Sequence, residues 1–166
     1  MGYVRDLLMV LCALLLQSTL GPKLEVGGIA PDLLVLSVLC GALSKGEIWG
    51  TGLGFRGGFL RDAYVPDHFG LNALSLSVVG FMGGRARGKV GTEYLLVRAG
   101  ACMAAVLIHD GIYLIFAEKG DMFRWISQMA VRALPTSIYT AVVGVGISAL
   151  RSLVFKGRIL GYARGG

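Results

Sequence analysis

Each of the two histidines lies next to an acid in the sequence and could in principle do acid–base chemistry. His109 stands next to Asp110, which on paper makes an acid–base pair. Consecutive residues on a helix diverge by about 100°, however, so these two side chains are not expected to face each other. His68 belongs to a VPDHFG turn, where a polar residue at the end of a loop is the ordinary interpretation. We predict no catalytic residue.

Enzyme motifs and metal-ligand patterns are missing from the sequence. It contains no HExxH, GxSxG or GxxxxGK[ST], which are the minimum parts of zinc proteases, hydrolase elbows and P-loops. Cys12, Cys40 and Cys102 each lie inside an apolar run, without a CxxC pair or a histidine arranged as a further ligand. We therefore predict no metal site, no cofactor and no enzymatic activity.

The composition is that of a membrane protein. The chain has 166 residues, of which 55% are hydrophobic, with a mean hydropathy of +0.70. That apolar share exceeds the usual value for soluble domains, and no polar block is long enough to form one. We predict one all-α integral membrane domain over residues 1–166, with six transmembrane helices in a compact bundle. The predicted helices cover residues 3–20, 29–44, 46–64, 69–84, 94–117 and 129–155.

The second and fourth of these helices are short, because 16 residues reach only about 24 Å. They would need flanking residues or a thinned bilayer to cross it. The first helix, with LLMVLCALLL after Arg5, also fits a signal peptide. Since the sequence begins at Met1, we expect a retained helix.

Lysine and arginine are unequally distributed between the two sides of this bundle. With the N-terminus inside, nine lie in inner segments and three in outer loops, which favours cytoplasmic termini. The inner residues are Arg5, Lys45, Arg85, Arg87, Lys89, Arg151, Lys156, Arg158 and Arg164, and the outer residues are Lys23, Lys119 and Arg124. RARGK at 85–89 has no interleaved aromatic residues for stacking bases, so we expect no nucleic-acid partner.

Several polar residues share one depth, near the outer ends of the predicted helices. They are Asp32, Arg61, Asp62, Asn72, Asp110 and Arg132. A charge in the bilayer needs a partner, water or a function. Because the opposite charges are roughly matched, we predict an interhelical polar network. Arg56 lies about 8 Å nearer the midplane than Arg61, and the sequence does not indicate its partner.

Two other interpretations of these residues stay open. Intramembrane acids can mark a proton or ion path, although the sequence shows no internal repeat and the acids lie away from the midplane. They could also form a rim of side chains that extend to the membrane surface, as we expect for Arg98 near the inner end of the fifth helix.

Glycines recur at every fourth position in GEIWGTGLGFRGGFLRD, residues 46–62. Gly46, Gly50, Gly54 and Gly58 lie on one slowly winding side of the third helix, because four residues advance about 40° beyond a full turn. A groove of small residues allows a neighbouring backbone to approach closely. It predicts either packing within the bundle or an interface with a partner helix.

Three stretches, residues 58–85, 105–116 and 131–151, together resemble the MreD family of rod shape-determining proteins, as do the earlier LQSTL and PDLLVLSVL. In that family a glycine-rich helix ends in an acid, and a short turn leads to a Leu-Gly pair and a helix of small residues. A second acid lies in the fifth helix, and a proline begins the last. The matching residues here are Asp62, Gly70 with Leu71, Asp110 and Pro135. Arg56 and Arg61 depart from the family pattern.

The resemblance implies a non-enzymatic scaffold or regulator of peptidoglycan elongation in the bacterial cytoplasmic (inner) membrane, which helps to maintain cell shape. It implies direct binding to MreC within the elongasome. Through MreC the protein would be linked to MreB, RodA and the elongation transpeptidase, with membrane lipids around it. It also implies a fold similar to the substrate-binding subunits of energy-coupling-factor transporters.

Such a vitamin-transporter subunit is the alternative function, since it would share the fold and the glycine-rich helix. Those subunits resemble one another in an Ala-x-x-x-Ala surface near the first helix. Here Ala13 is followed four residues later by Gln17, which argues against that function.

Overall fold

The structure, a computed structural model, describes residues 2–25, 27–64, 68–88, 95–117 and 121–163. Its helices are α1 (Gly2–Leu24), α2 (Leu33–Lys45), α3 (Glu47–Tyr64), α4 (Leu71–Arg85), α5 (Leu95–Ala117), α6 (Met122–Gln128) and α7 (Leu134–Ala163). A π-helical turn, Met129–Ala133, joins α6 to α7, so these three elements form one helical path. The prediction of an all-α protein is confirmed for the described residues.

Both boundaries of α2 are set by residues that the apolar pattern does not reveal. α2 begins at Leu33 rather than at 29, because Asp32 is its N-cap and its carboxylate accepts hydrogen bonds from the N–H groups of Leu34 and Val35. Gly46 lies between α2 and α3 with φ +99°, a backbone conformation that favours glycine. Gly46 therefore ends α2 and lies outside the helix in which the sequence prediction placed it.

The last helical path begins seven residues earlier than predicted, at Met122 instead of Met129. Pro135 is the second residue of α7 and does not begin the path, because a π turn precedes it. Proline has no N–H to donate to the preceding turn, and a widened turn is one way in which a helix accommodates that loss. The indole of Trp125 in α6 donates to the carbonyl of Gly111 in α5 at 3.2 Å, which holds this end of the path against α5.

Two helical segments of the described chain are long and apolar enough to cross a membrane, Leu96–Ala117 and Met122–Ala149. Two shorter apolar segments are Leu8–Thr19 and Leu33–Lys45. α2 has 13 residues and so reaches only about 20 Å. Six membrane crossings therefore remain a prediction.

α2 is the central helix of the bundle and contacts α1, α3, α4, α5 and α7. Its buried side chains, among them Leu34, Val38 and Leu39, form much of the hydrophobic core. The closest pair of helices is α3 with α4. This arrangement places the glycines of α3 beside α4, and the polar residues at the ends of α2, α3 and α4 next to one another.

Some of the lysines and arginines in the predicted charge distribution cannot be compared with the structure. Lys89, Lys119 and Arg164 lie outside the described residues, as do the side chains of Arg5, Arg151, Lys156 and Arg158.

Candidate functional site

The glycines of α3 bring its backbone into direct contact with that of α4. A Cβ added to Gly50 would collide with the carbonyl of Gly80. One turn further along α3, a Cβ on Gly54 would collide with the carbonyl of Leu76, and the next glycine, Gly58, meets the carbonyl of Asn72 in the same way. Each step of four residues along α3 thus matches a step of four in the opposite direction along α4. We call this contact the glycine seam.

The seam extends from the Gly46 end of α3 to its other end. A Cβ on Gly84 of α4 would collide with the backbone of Gly46 and Glu47. Because the Cα hydrogens of seam glycines point at carbonyl oxygens, weak Cα–H···O contacts add to the van der Waals packing. α4 therefore occupies the groove that the sequence predicted, so a partner helix has no access to it while α4 is in place.

Asp62 lies where the seam ends and supplies the missing cap of α4. α4 is preceded by Gly70, which has φ +98° and no side chain to cap the helix. The buried Asp62 carboxylate instead accepts from the Asn72 N–H at 3.2 Å, the Asn72 side-chain amide at 2.8 Å and the Ala73 N–H at 3.0 Å. An anion at a helix N-terminus satisfies free N–H groups and complements the helix dipole. Asp62 and Gly70, the acid and the glycine of the family motif, therefore both serve the start of α4: Gly70 precedes the helix without a capping side chain, and Asp62 provides the cap.

Asp32 and Arg61 form an ion pair between α2 and α3. The Arg61 Nη1 donates to Asp32 Oδ2 at 2.7 Å, while Oδ1 accepts from two N–H groups of α2. The backbone N–H of Asp32 donates to the Thr140 hydroxyl of α7 at 2.9 Å. Asp32 thus connects α2, α3 and α7. The Arg61 side chain is 31% exposed, so it also reaches the surface of the bundle.

His109 joins α5 to α4. Its Nδ1 lies 2.7 Å from the hydroxyl oxygen of Ser75, and both side chains are buried. The same hydroxyl lies 2.8 Å from the carbonyl of Leu71. A hydroxyl has one proton, so all three groups are satisfied when Ser75 donates to Leu71 and accepts from the Nδ1–H of His109. The His109 Nε2 is 4.0 Å from Asp110 Oδ1, which is beyond hydrogen-bond distance.

The six polar residues predicted to form a network are divided in the structure. Asp32 lies with Arg61, and Asp62 with Asn72. Asp110 is 25% exposed at its side chain and lies near His109, whereas Arg132 is exposed on the π turn and forms no ion pair with a described residue.

Arg56 is likewise exposed and forms no ion pair within the described parts of the chain. Sequence reasoning missed Ser75 and Thr140. Ser75 lies one turn beyond Asn72 and so shares its face of α4, about 4.5 Å deeper, which is the signal that could have identified it. The sequence shows His109 beside Asp110, but it does not show that the partner of His109 is Ser75 on α4.

The buried polar groups satisfy one another within the bundle. Each buried side-chain nitrogen or oxygen of the described residues has a hydrogen-bond partner. The described residues contain no group of three His, Cys, Asp or Glu side chains that could hold a metal ion. Hydrogen bonds between buried groups specify how helices are placed and oriented. The pairs Asp32–Arg61, Asp62–Asn72 and Ser75–His109, which we call the polar cluster, can therefore fix the ends of α2, α3, α4 and α5 relative to one another.

A family model described as rod shape-determining protein MreD matches residues 3–155, which is nearly the whole chain. The match includes the glycine seam and all of the polar residues described above. No curated protein and no solved structure matches, so the expected likeness to energy-coupling-factor subunits stays a prediction. MreD proteins are membrane proteins that act in determining rod shape. The resemblance seen in the sequence is confirmed, and the chain belongs to the MreD family.

Proposed function

We propose that this protein is a non-enzymatic scaffold of the cell-wall elongation complex, a single domain with six transmembrane helices and both termini in the cytoplasm. It binds MreC directly, and through MreC it acts together with MreB, RodA and the elongation transpeptidase. Membership of a family of rod shape-determining proteins supports the role in cell shape.

One observation carries the scaffold role: the buried acids and the buried histidine of the described residues are engaged in contacts between helices. Asp62 caps α4, Asp32 pairs with Arg61, and His109 bonds to Ser75. Together with backbone contact along the glycine seam, these bonds favour a rigid bundle. A rigid bundle acts through the surface it presents to a partner.

An uncovered strip of the central helix is the surface that we assign to MreC. Leu36 of α2 contacts α7, since a Cβ on Gly144 would lie 2.8 Å from its side chain. One and two turns further along α2, Cys40 and Ser44 are exposed, although α2 has five neighbouring helices. α1 and α7 meet through a hydrogen bond from the Tyr139 hydroxyl to the carbonyl of Leu24. A single MreC helix that lies between α1 and α7 would cover this strip.

The native cysteines provide a direct test. Cys40 lies in the strip, Cys12 is exposed on the side of α1 away from buried Val10 and Ala13, and Cys102 is buried. Two variants, C12S/C102S and C40S/C102S, each retain one exposed thiol. Each is co-expressed with MreC or alone, and maleimide labelling is measured in membranes alongside co-purification in detergent.

We expect MreC to co-purify with both variants and to reduce labelling of Cys40 but not of Cys12. Protection of Cys12 instead would contradict the assigned surface while leaving the scaffold role intact. Failure to recover MreC, together with a vitamin bound at nanomolar affinity, would contradict the scaffold role and favour the transporter alternative.

A further inference from the structure

An apolar groove lies between α2, α4 and α5, in the half of the bundle that contains the C-terminal end of α2. Its cavity is about 230 Å³, and its lining, almost wholly apolar, includes Leu43, Met82, Ala86, Ala101, Ala104 and Ile108. The alanines of α5 leave space that larger side chains would fill. Met82 is 48% exposed and Ala104 is exposed, so the groove opens sideways from the bundle.

Basic residues from α2, from α5 and from the turn after α4 lie at one end of this groove. Arg98 stands one turn before Ala101 on α5, and Arg87 directly follows Ala86. Lys45 ends α2, and its ammonium group lies 4.5 Å from the ring centroid of Trp49.

The two arginines at this end are not neutralised by the described part of the chain. Arg87 and Arg98 form no ion pair with a described residue, whereas the nearby Arg85 lies 3.6 Å from Glu47. The Arg87 guanidinium lies over the end of α2, 3.6 Å from where a Cβ on Gly46 would be. The two arginines therefore bring positive charge to this end of the groove that no ion pair with a described acid offsets.

The apolar lining of the groove and the charge at its end identify one kind of occupant. A hydrocarbon chain is thin and flexible, and it matches an apolar lining that opens sideways. Arginine suits a phosphate because its planar group donates two parallel hydrogen bonds.

We propose that this groove binds an anionic phospholipid, with one acyl chain in the groove and the headgroup phosphate at Arg98 and Arg87. This lipid site goes beyond the scaffold role and does not depend on binding to MreC, because the groove is bounded by α4 and α5, whereas the strip around Cys40 is assigned to a helix between α1 and α7.

The experiment uses the purified full chain in a non-ionic detergent. Native mass spectrometry measures retention of added phosphatidylglycerol and phosphatidylcholine, and thermal unfolding measures stabilisation by each. A104F fills the groove from its open side. G146F adds the same ring on α7, where a Cβ would meet nothing within 4 Å, and serves as the matched control. R98Q removes one cation at the groove end.

We expect the wild-type protein and G146F to retain phosphatidylglycerol in preference to phosphatidylcholine, and A104F to retain neither. R98Q should keep lipid binding but lose about fivefold of the preference for phosphatidylglycerol, the contribution of one basic residue near an anionic headgroup. Equal retention of both lipids by the wild-type protein would overturn the proposal. So would undiminished binding by A104F, or protection of an A104C thiol by MreC in lipid-free detergent, which would assign the groove to a partner helix.

Discussion

Gly54 of α3 and Leu76 of α4 lie so close that a Cβ on the glycine would overlap the carbonyl of the leucine. The contact is between backbones, so no rotamer change of a neighbouring side chain can make room for a larger residue at Gly54. The same geometry holds one turn away on both sides, at Gly50 and Gly58. α3 and α4 can therefore lie this close together only because the α3 residues that face α4 have no side chains.

Gly54→Leu should prevent α3 and α4 from packing. Ordinary overpacking costs about 1–3 kcal/mol, and a collision with backbone should exceed that range because the helices must separate. The measurement is the fraction of monodisperse protein after heating in detergent.

Gly52→Leu is the matched control on the same helix, since a Cβ there would meet nothing within 4 Å. We expect it to leave the folded fraction close to the wild-type value. Equal behaviour of the two variants would contradict the seam.

Asp62→Leu should destabilise the protein by about 3 kcal/mol or more. The substitution leaves the N–H groups of Asn72 and Ala73 buried without an acceptor, and α4 without a cap. Asp110→Leu should cost less, because Asp110 is partly exposed and makes no hydrogen bond to a described residue. Thermal unfolding of both variants in one detergent provides the comparison. If both unfold at the wild-type temperature and support cell shape, the polar cluster has no structural role.

Arg61→Met should cost about 3–5 kcal/mol, because it leaves the charge of buried Asp32 without its partner. The double variant Arg61→Met with Asp32→Asn should recover much of that loss, since asparagine still caps α2 and carries no charge. Arg56→Met removes an arginine from the same helix where it is exposed, and it should be near neutral. Chemical denaturation measures all three. Additive losses in the double variant would show that the two residues do not interact.

Ser75→Ala should cost about 1–3 kcal/mol, because the Nδ1 of buried His109 loses its partner. Ser77→Ala is the matched control two residues away, since the Ser77 hydroxyl bonds to the carbonyl of Ala73 within its own helix. The thermal unfolding midpoint in detergent should fall for the first variant and stay near that of the wild-type protein for the second. A fall of equal size in both would contradict a specific bond between α4 and α5.

The sequence was sufficient to predict helices and the small-residue face of α3, because both follow from periodicity along one segment. It could not show which helix occupies that face. The partner positions on α4 include Leu76 and Asn72, whose side chains are not small, and they serve because their carbonyls face the glycines. A backbone carbonyl can make this contact whatever side chain its residue carries, so the residue types on α4 do not reveal it.

The shared depth of the polar residues in the membrane predicted only some of their contacts. Residues at one level of a bundle can lie on opposite sides of it, and rotation about each helix axis decides which meet. Asp32 and Arg61 face each other, whereas Arg132 lies on an exposed side of the π turn. Depth does not predict helix capping either, because Asp62 caps a helix, α4, that begins nine residues later in the sequence.

The pairing of α3 with α4 has a consequence for biogenesis. α3 carries five glycines together with Arg56, Arg61 and Asp62, and neither α3 nor α4 is among the apolar segments identified as able to cross a membrane by length and composition. A segment of that kind partitions poorly into lipid by itself. We therefore expect the translocon to release α3 only when α4 has emerged from the ribosome, so that both enter the bilayer as one hairpin. A substitution at Gly80 would then reduce the amount of inserted protein, even before any partner is met.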